Sequence, residues 1–400
     1  MELEKSLVLC CSQTELQNED RSKIGEILGE TLDWRLVKRV AGRNGLLPLV
    51  AHTLTQDFSS ALPAEEADFL SRYLTVHTAA NLRLTYRMIE VVEAFESEGI
   101  DVLPFKGPSL AVQLYGNLAF RDFIDLDMLV KPKDFERSVE ILLAMGYTLI
   151  ADQVEGKNGH LKVRGRKDVS LVSPEGDYRV ELHWKLSGSH FALPYEIEEL
   201  WQRMGKIEIG GRAIRALGWN DLMVYLCLHG SRHQWEKFAW VTDVNELIRH
   251  FDKVGIDWES VRKQAVEARC ERILDLGFFL ADYFYGTALN SNDSLDARTR
   301  EVFTRIATEV ETTDFGENFE STELADWYVY HLSLKENVSD RLKLHLHYLA
   351  RYVRLITRPG DLDKATFRLP SFLYPLYYLL RPVRLLLSYS RRKGGEYQGR

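Results

Sequence analysis

Asp125 and Asp127 stand one residue apart in the apolar run "FIDLDMLV". In an extended strand, residues two apart share a face, so both carboxylates project together. Ile124, Leu126 and Met128 then face the other way, into a core. Two like charges on one face destabilise each other unless they are exposed, paired with arginine or neutralised by cations. Mg²⁺ takes hard oxygen ligands and commonly keeps a substrate phosphate in its shell. The pair therefore has the chemistry of a divalent-metal site for phosphoryl transfer. In "YRVELHWKL", Glu181 and His183 share a face opposite Val180, Leu182 and Trp184. A two-metal site needs one carboxylate more than Asp-x-Asp supplies, and Glu181 is the candidate. Asp168 and Asp177 lie near it in sequence, but beside turns where they face solvent. His183 is placed to order a carboxylate by hydrogen bonding.

"PFKGPS" supplies an anion site to match. A strand runs into Lys106 and Gly107, and Pro108 then opens a helix. Glycine lets backbone approach a ligand closely, and proline suits the first helical position. The free N–H groups and dipole of a helix start favour an anion. Lys106 adds a charge and Ser109 a hydroxyl, and Arg121 can reach a phosphate or hold the aspartate pair. Further on, "LHGSRHQW" places His229 and His233 at i and i+4 of a helix. That spacing can bind a metal, with Asp243 the nearest further ligand. The simpler expectation is that His229, Arg232 and His233 line the cleft opposite the aspartates and meet a nucleotide.

The elements that must position these groups follow from periodicity. Residues 1–99 read as helices: Ile24, Ile27 and Leu28, then Trp34, Val37 and Val40, recur at helical spacing, with Asp33 as an N-cap. The helix that begins near "AEEADF" stops near Gly99. From Ile100 the texture is that of an α/β or α+β domain over residues 100–217. Its strands are "IDVLPF", "FIDLDMLV", "YTLIA", "HLKVRG", "DVSLVSP" and "YRVELHWKL", followed by a hairpin around Gly210-Gly211. "SLAVQLYG" and "PKDFERSVEILLAMGY" are its helices, the latter with Pro132 first and Gly146 last. Residues 218–360 return to helices, with Asn220 as an expected N-cap. Residues 361–400 form an apolar and basic tail.

A hydrophobic fraction of 45% suits a folded core, and a net charge of −8 argues against wholesale nucleic-acid binding. The four cysteines fit neither a disulfide framework nor a zinc site, so a reducing compartment is expected. The first twenty residues lack a basic start and a long apolar stretch, and no apolar run reaches spanning length. A cytoplasmic globular protein is the expectation.

In order, then, the chain carries a strand, a Lys-Gly-x-Ser helix mouth, an arginine, an Asp-x-Asp strand and a Glu-x-His strand. "FKGPSLAVQLYG", "RDFIDLDMLV", "VELHWKL" and "YLCLHGSRHQW" carry a resemblance to the uncharacterised nucleotidyltransferase family of the DNA polymerase β-like superfamily. The resemblance covers roughly residues 25–285. It implies an α+β fold, a polymerase-β-like core with a small mixed sheet flanked by helical N- and C-terminal regions. It implies metal-binding Asp125 and Asp127, a third acid at Glu181, a phosphate-binding turn at Gly107 and Ser109, and Mg²⁺ or Mn²⁺ as cofactor. The usual Gly-Ser pair is spaced here as Gly107-Pro108-Ser109, and the segment from Gly107 to Asp125 is longer than in minimal members. The implied activity is transfer of NMP from an NTP, with ATP among the candidates, to an acceptor hydroxyl or similar nucleophile. A small molecule, sugar or peptide is expected as acceptor rather than a nucleic acid. The alternative is a catalytically weak nucleotide-binding scaffold. The tail, through residues 367–393, would then contact a partner or the membrane surface.

Overall fold

Local chemistry sets where the helices begin and end. Asp33 accepts hydrogen bonds from the N–H groups of Arg35 and Leu36, and so starts the helix Trp34–Arg43. Helix Ala64–Ser97 ends just before Gly99, which takes a positive φ. The structure is a computed structural model of the 400-residue chain. It describes residues 3–150, 168–186, 197–254, 257–287, 295–312, 324–357, 363, 366–367 and 369–384. The strand expected at "HLKVRG" lies outside the described residues.

The chain divides into two compact units, Met1–Thr322 and Glu323–Arg400. In the first, α1 (Leu3–Cys10), α2 (Asn18–Leu28), α3 (Trp34–Arg43) and α4 (Leu47–Asp57) lead into the long α5 (Ala64–Ser97). The sheet-bearing part follows as β1 (Val102–Pro104), α6 (Gly107–Tyr115), β2 (Asp125–Val130), α7 (Phe135–Ala144), β3 (Thr148–Leu149), β4 (Asp168–Val172) and β5 (Arg179–His183). Then come α8 (Ile197–Gln202), the hairpin β6 (Gly205–Ile209) and β7 (Arg212–Ala216), and the helices α9 (Trp219–Arg232), α10 (Ala239–Val254), α11 (Trp258–Glu267), α12 (Glu271–Tyr285) and α13 (Ala297–Thr312). The fold is α+β, with a small mixed sheet among many helices.

Among the described residues that sheet has the order β1-β2-β5-β4-β3, with the β2–β5 pair parallel and the others antiparallel. Leu126 and Met128 of β2 and Val180 and Leu182 of β5 are fully buried on one face. They form one core with Met88, Val91 and Phe95 of α5 and Val139 and Leu142 of α7. Burying each such side chain contributes roughly 1.5–3 kcal/mol, which fixes the register of both strands. A one-residue slip would turn this core face outward. The opposite face carries the polar side chains.

Two expectations are corrected. Ile124 is 76% exposed rather than in the core, because pairing with β5 begins only at Asp125↔Arg179. The residue before it has no strand neighbour to pack on. Asn220 sits in the first turn of α9 rather than capping it. The chain enters through Gly218, whose carbonyl accepts the N–H of Leu222 at 2.8 Å, so the helix begins two residues earlier.

In the second unit, α14 (Leu324–Ser333) and α15 (Val338–Thr357) are joined by a hydrogen bond of 2.8 Å between His331 Nδ1 and the Tyr348 hydroxyl. Two of the tail's expected basic groups are drawn inward: Arg381 and Arg384 donate to buried Asp363 at 2.6 and 2.5 Å. Arg391, Arg392 and Lys393 lie outside the described residues. Among the described residues, no helix is long and apolar enough to cross a membrane.

Candidate functional site

The parallel register of β2 and β5 makes Asp127 the Cα partner of Glu181, and Asp125 the partner of Arg179. On a pleated sheet, paired residues point the same way, so the two acids lie side by side on the face away from the core. His183, two residues beyond Glu181, shares that face and is 1% exposed. Its Nε2 lies 3.1 Å from Asp127 Oδ1 and 3.6 Å from Glu181 Oε2. Its Nδ1 is 3.6 Å from Oδ2 of Asp168, the cross-strand partner of His183 on β4. The Phe105 ring meets the imidazole edge-on, with centroids 5.1 Å apart. Donor atoms of Asp127, Glu181 and His183 all lie within 4.8 Å of one another, a spacing suited to a metal ion.

Lys106 and Gly107 close the strand side of this face. Gly107 has φ +54°, and a Cβ there would stand 3.3 Å from the Asp125 carbonyl, so the close approach of the two chain segments requires glycine. The Lys106 ammonium donates to Asp127 Oδ1 at 3.0 Å. Burial alone would lower the Lys106 pKa, but the charge of Asp127 outweighs it and holds the group above its ordinary range. Asp127 behaves in the mirror sense. Burial raises it, while Lys106 and the His183 hydrogen bond pull it below the usual carboxylate range. Asp125 is pushed up to about 6, first by burial and then by the charges of Asp127 and Glu181, against the weaker pull of Lys106 and Arg121. The face thus carries more negative charge than its neighbours neutralise.

The segment between α6 and β2 is tightly held. Gly116 ends α6 in the left-handed conformation, and Asn117 caps a short 3₁₀ turn, Leu118–Phe120. Asn81, on α5, donates to the carbonyls of Leu118 and Arg121 at 2.7 and 3.0 Å. Arg121 then reaches across to α10, placing Nε 3.2 Å from Asp243 Oδ1 and Nη2 3.1 Å from Oδ2. The Tyr115 hydroxyl donates to the same Oδ1 at 2.6 Å. Asp243 is 0% exposed.

These walls enclose a cavity of about 260 Å³, into which Lys106, Gly107, Arg121, Asp125, Asp127 and His229 all open. Lys237 and Trp240 line its far side. His229 packs edge-on to Trp240, with centroids 4.9 Å apart, and its buried Nδ1 has no hydrogen-bond partner among the described residues. Burial, with Lys106 and His233 nearby, pushes its pKa well below the ordinary histidine value, so the ring is neutral.

The residues singled out in the sequence therefore fall into groups. Asp125, Asp127 and Lys106 converge in the cavity, with Gly107, Arg121 and His229 on its walls. Glu181 and His183 adjoin Asp127 from β5. Ser109 turns away: it is 1% exposed, its hydroxyl donates to Met88 Sδ at 3.7 Å, and its N–H is taken by the Lys106 carbonyl. It belongs to the inward face of α6, which packs on α5. Arg232 and His233 bond to each other, Nη2 to Nε2 at 2.9 Å, beyond the cavity lining. Asp243, the third ligand considered for a metal at His229 and His233, is instead committed to Arg121 and Tyr115. Asn81, Tyr115 and Trp240 carry no local motif, and Asp168, expected to face solvent, instead faces His183 across the β4–β5 pair. Only the alternation of β4 places Asp168 on the face of Ser170, and that signal needs the strand pairing to become useful.

The carboxylates and the imidazole on this face are chemically apt for a divalent cation: two oxygens and a nitrogen, with Asp127 and His183 buried and Glu181 half-buried. A model of a family described as "Uncharacterised nucleotidyltransferase" matches residues 30–286. Comparison with curated proteins and with solved structures returns no match.

Proposed function

We propose that this chain, which belongs to the uncharacterised nucleotidyltransferase family, transfers NMP from an NTP to an acceptor hydroxyl or similar nucleophile, releasing pyrophosphate. The observation that carries the reading is the parallel pairing of Asp127 with Glu181, which gathers the acidic face beside the Lys106–Gly107 helix mouth. The small mixed sheet, with its acids on β2 and β5, supports a polymerase-β-like core over residues 100–217 flanked by helical regions.

Asp125, Asp127 and Glu181 would hold the divalent ion, Mg²⁺ or Mn²⁺. Bound there, it would neutralise charge on the α-phosphate and leaving pyrophosphate and lower the pKa of the attacking hydroxyl. The protein's own groups do the rest. Lys106, which pairs with Asp127, would meet phosphate oxygens, and the Gly107 turn would let backbone approach them. Arg121, fixed by Asp243, orients the wall rather than following the substrate. His229 and Trp240 offer a neutral aromatic surface to the nucleoside. Most of the rate gain comes from positioning and preorganised charge.

The test is to incubate the full chain with each α-labelled NTP, Mg²⁺ or Mn²⁺ and a cell extract, and to follow the label. Label should pass to one product class. Asp125→Asn with Asp127→Asn should cut that transfer by about 10²–10³-fold or more. Divalent-independent NTP binding that survives the double change, with no labelled product for any NTP, would replace the enzyme by the nucleotide-binding scaffold.

A further inference from the structure

We propose that His183 Nε2 is itself a metal ligand, completing a nitrogen–oxygen set with Asp127 and Glu181, and that Asp168 is its positioning residue. The inference rests on the reading above that the acidic face holds a divalent ion, and it names the class: a first-row transition dication in preference to Mg²⁺.

Three atoms converge. Asp127 Oδ1 and Glu181 Oε2 lie 3.1 and 3.6 Å from the same His183 nitrogen. Neighbouring ligands around a cation with bonds of about 2.1 Å are spaced by roughly 3 Å, so the trio needs little adjustment to close on an ion. The ring's orientation is constrained on two further sides. Asp168 Oδ2 faces Nδ1 at 3.6 Å, and Phe105 stands edge-on to the ring. Asp168 thus stands on the far side of the ring from the two acids, the place from which a carboxylate orients a metal-binding histidine.

The trio is also stiff. Asp127, Glu181 and Asp168 sit on three adjacent strands whose backbone pairing sets Asp127 opposite Glu181 and Asp168 opposite His183. Donors on strands hold their geometry better than donors on loops. The imidazole changes what the site prefers. Mg²⁺ favours oxygen ligands alone, whereas first-row transition dications accept imidazole nitrogen readily.

The experiment uses the full chain and Mn²⁺ as probe, with binding followed by the loss of free-ion EPR signal and ligation by pulsed EPR for directly coordinated ¹⁴N. Bound Mn²⁺ should show ¹⁴N coupling, and Mg²⁺ should displace it only in large excess. His183→Gln should abolish the coupling and weaken Mn²⁺ by about 10–100-fold, while Mg²⁺ affinity changes little. Asp168→Asn should keep the coupling but weaken Mn²⁺ about tenfold, with Asp168→Glu restoring part of the loss. Should the His183 variant not fold, the parent spectrum decides alone. Mn²⁺ bound without ¹⁴N coupling would make His183 only an ion-pair partner of Asp127, overturning this inference while leaving nucleotidyl transfer standing. Failure to bind either ion would overturn both.

Discussion

Two buried aspartates in the same unit live under opposite electrostatic rules. Asp243 has one carboxylate, one guanidinium gripping both of its oxygens and one tyrosine hydroxyl, and is closed to solvent. Its charge is matched and its lone pairs are used. Asp127 has one ammonium and the His183 imidazole beside it, but it shares its face with Asp125 and Glu181. The first cluster is finished by the protein's own groups and serves to pin a loop. The second is left short of positive charge, and its frustration is stored where a charged ligand can relieve it.

The largest effect should come from breaking the finished cluster. Asp243→Ala leaves Arg121 buried and unpaired, and should cost about 3–5 kcal/mol of stability in chemical denaturation. A loss under 1 kcal/mol would mean that Arg121 finds water and that the loop is not pinned there.

The unfinished cluster should respond in the opposite sense. Asp125 is raised from 3.8 to about 6 in the fold. A carboxyl raised on folding contributes stability that is whole below about pH 4 and is lost as the pH climbs through about 6. Asp125→Asn should therefore stabilise the ion-free protein by about 1–3 kcal/mol at pH 7.5, with the gain vanishing near pH 4. Added divalent ion should correspondingly raise the parent's Tm more at pH 7.5 than at pH 5. A variant destabilised at pH 7.5 would show the Asp125 charge to be already satisfied.

The smallest effect is expected at Ser109. Its hydroxyl meets only the weak acceptor of Met88, so Ser109→Ala should change stability by no more than about 1 kcal/mol. NTP affinity, measured by equilibrium binding, should stay within about twofold of the parent, a shift on the scale of RT. A tenfold loss would return Ser109 to the phosphate site.

Much of the acidic face was legible in the chain itself. The alternation of "DLDMLV" and "VELH" assigns Asp125, Asp127, Glu181 and His183 to polar faces, because side chains on a strand alternate with period two. The helix mouth at Lys106–Gly107 was legible from its glycine and proline. Asn220 and Ile124 were misjudged by a residue or two, at element ends, where tertiary pairing decides the boundary. Ser109 was misjudged because residue type does not say which side of α6 meets α5.

What the sequence determined by itself was a set of faces: periodicity acts between near neighbours and is written in the order of residues. What only the tertiary structure decided was which faces meet. Asp127 and Glu181 are brought together by a parallel pairing that no local turn can dictate, and Arg121 is claimed by an aspartate on α10, far along the chain. Such pairings are chosen by the burial of the whole core, so the chemistry of the face was readable from its residues while its wiring was not.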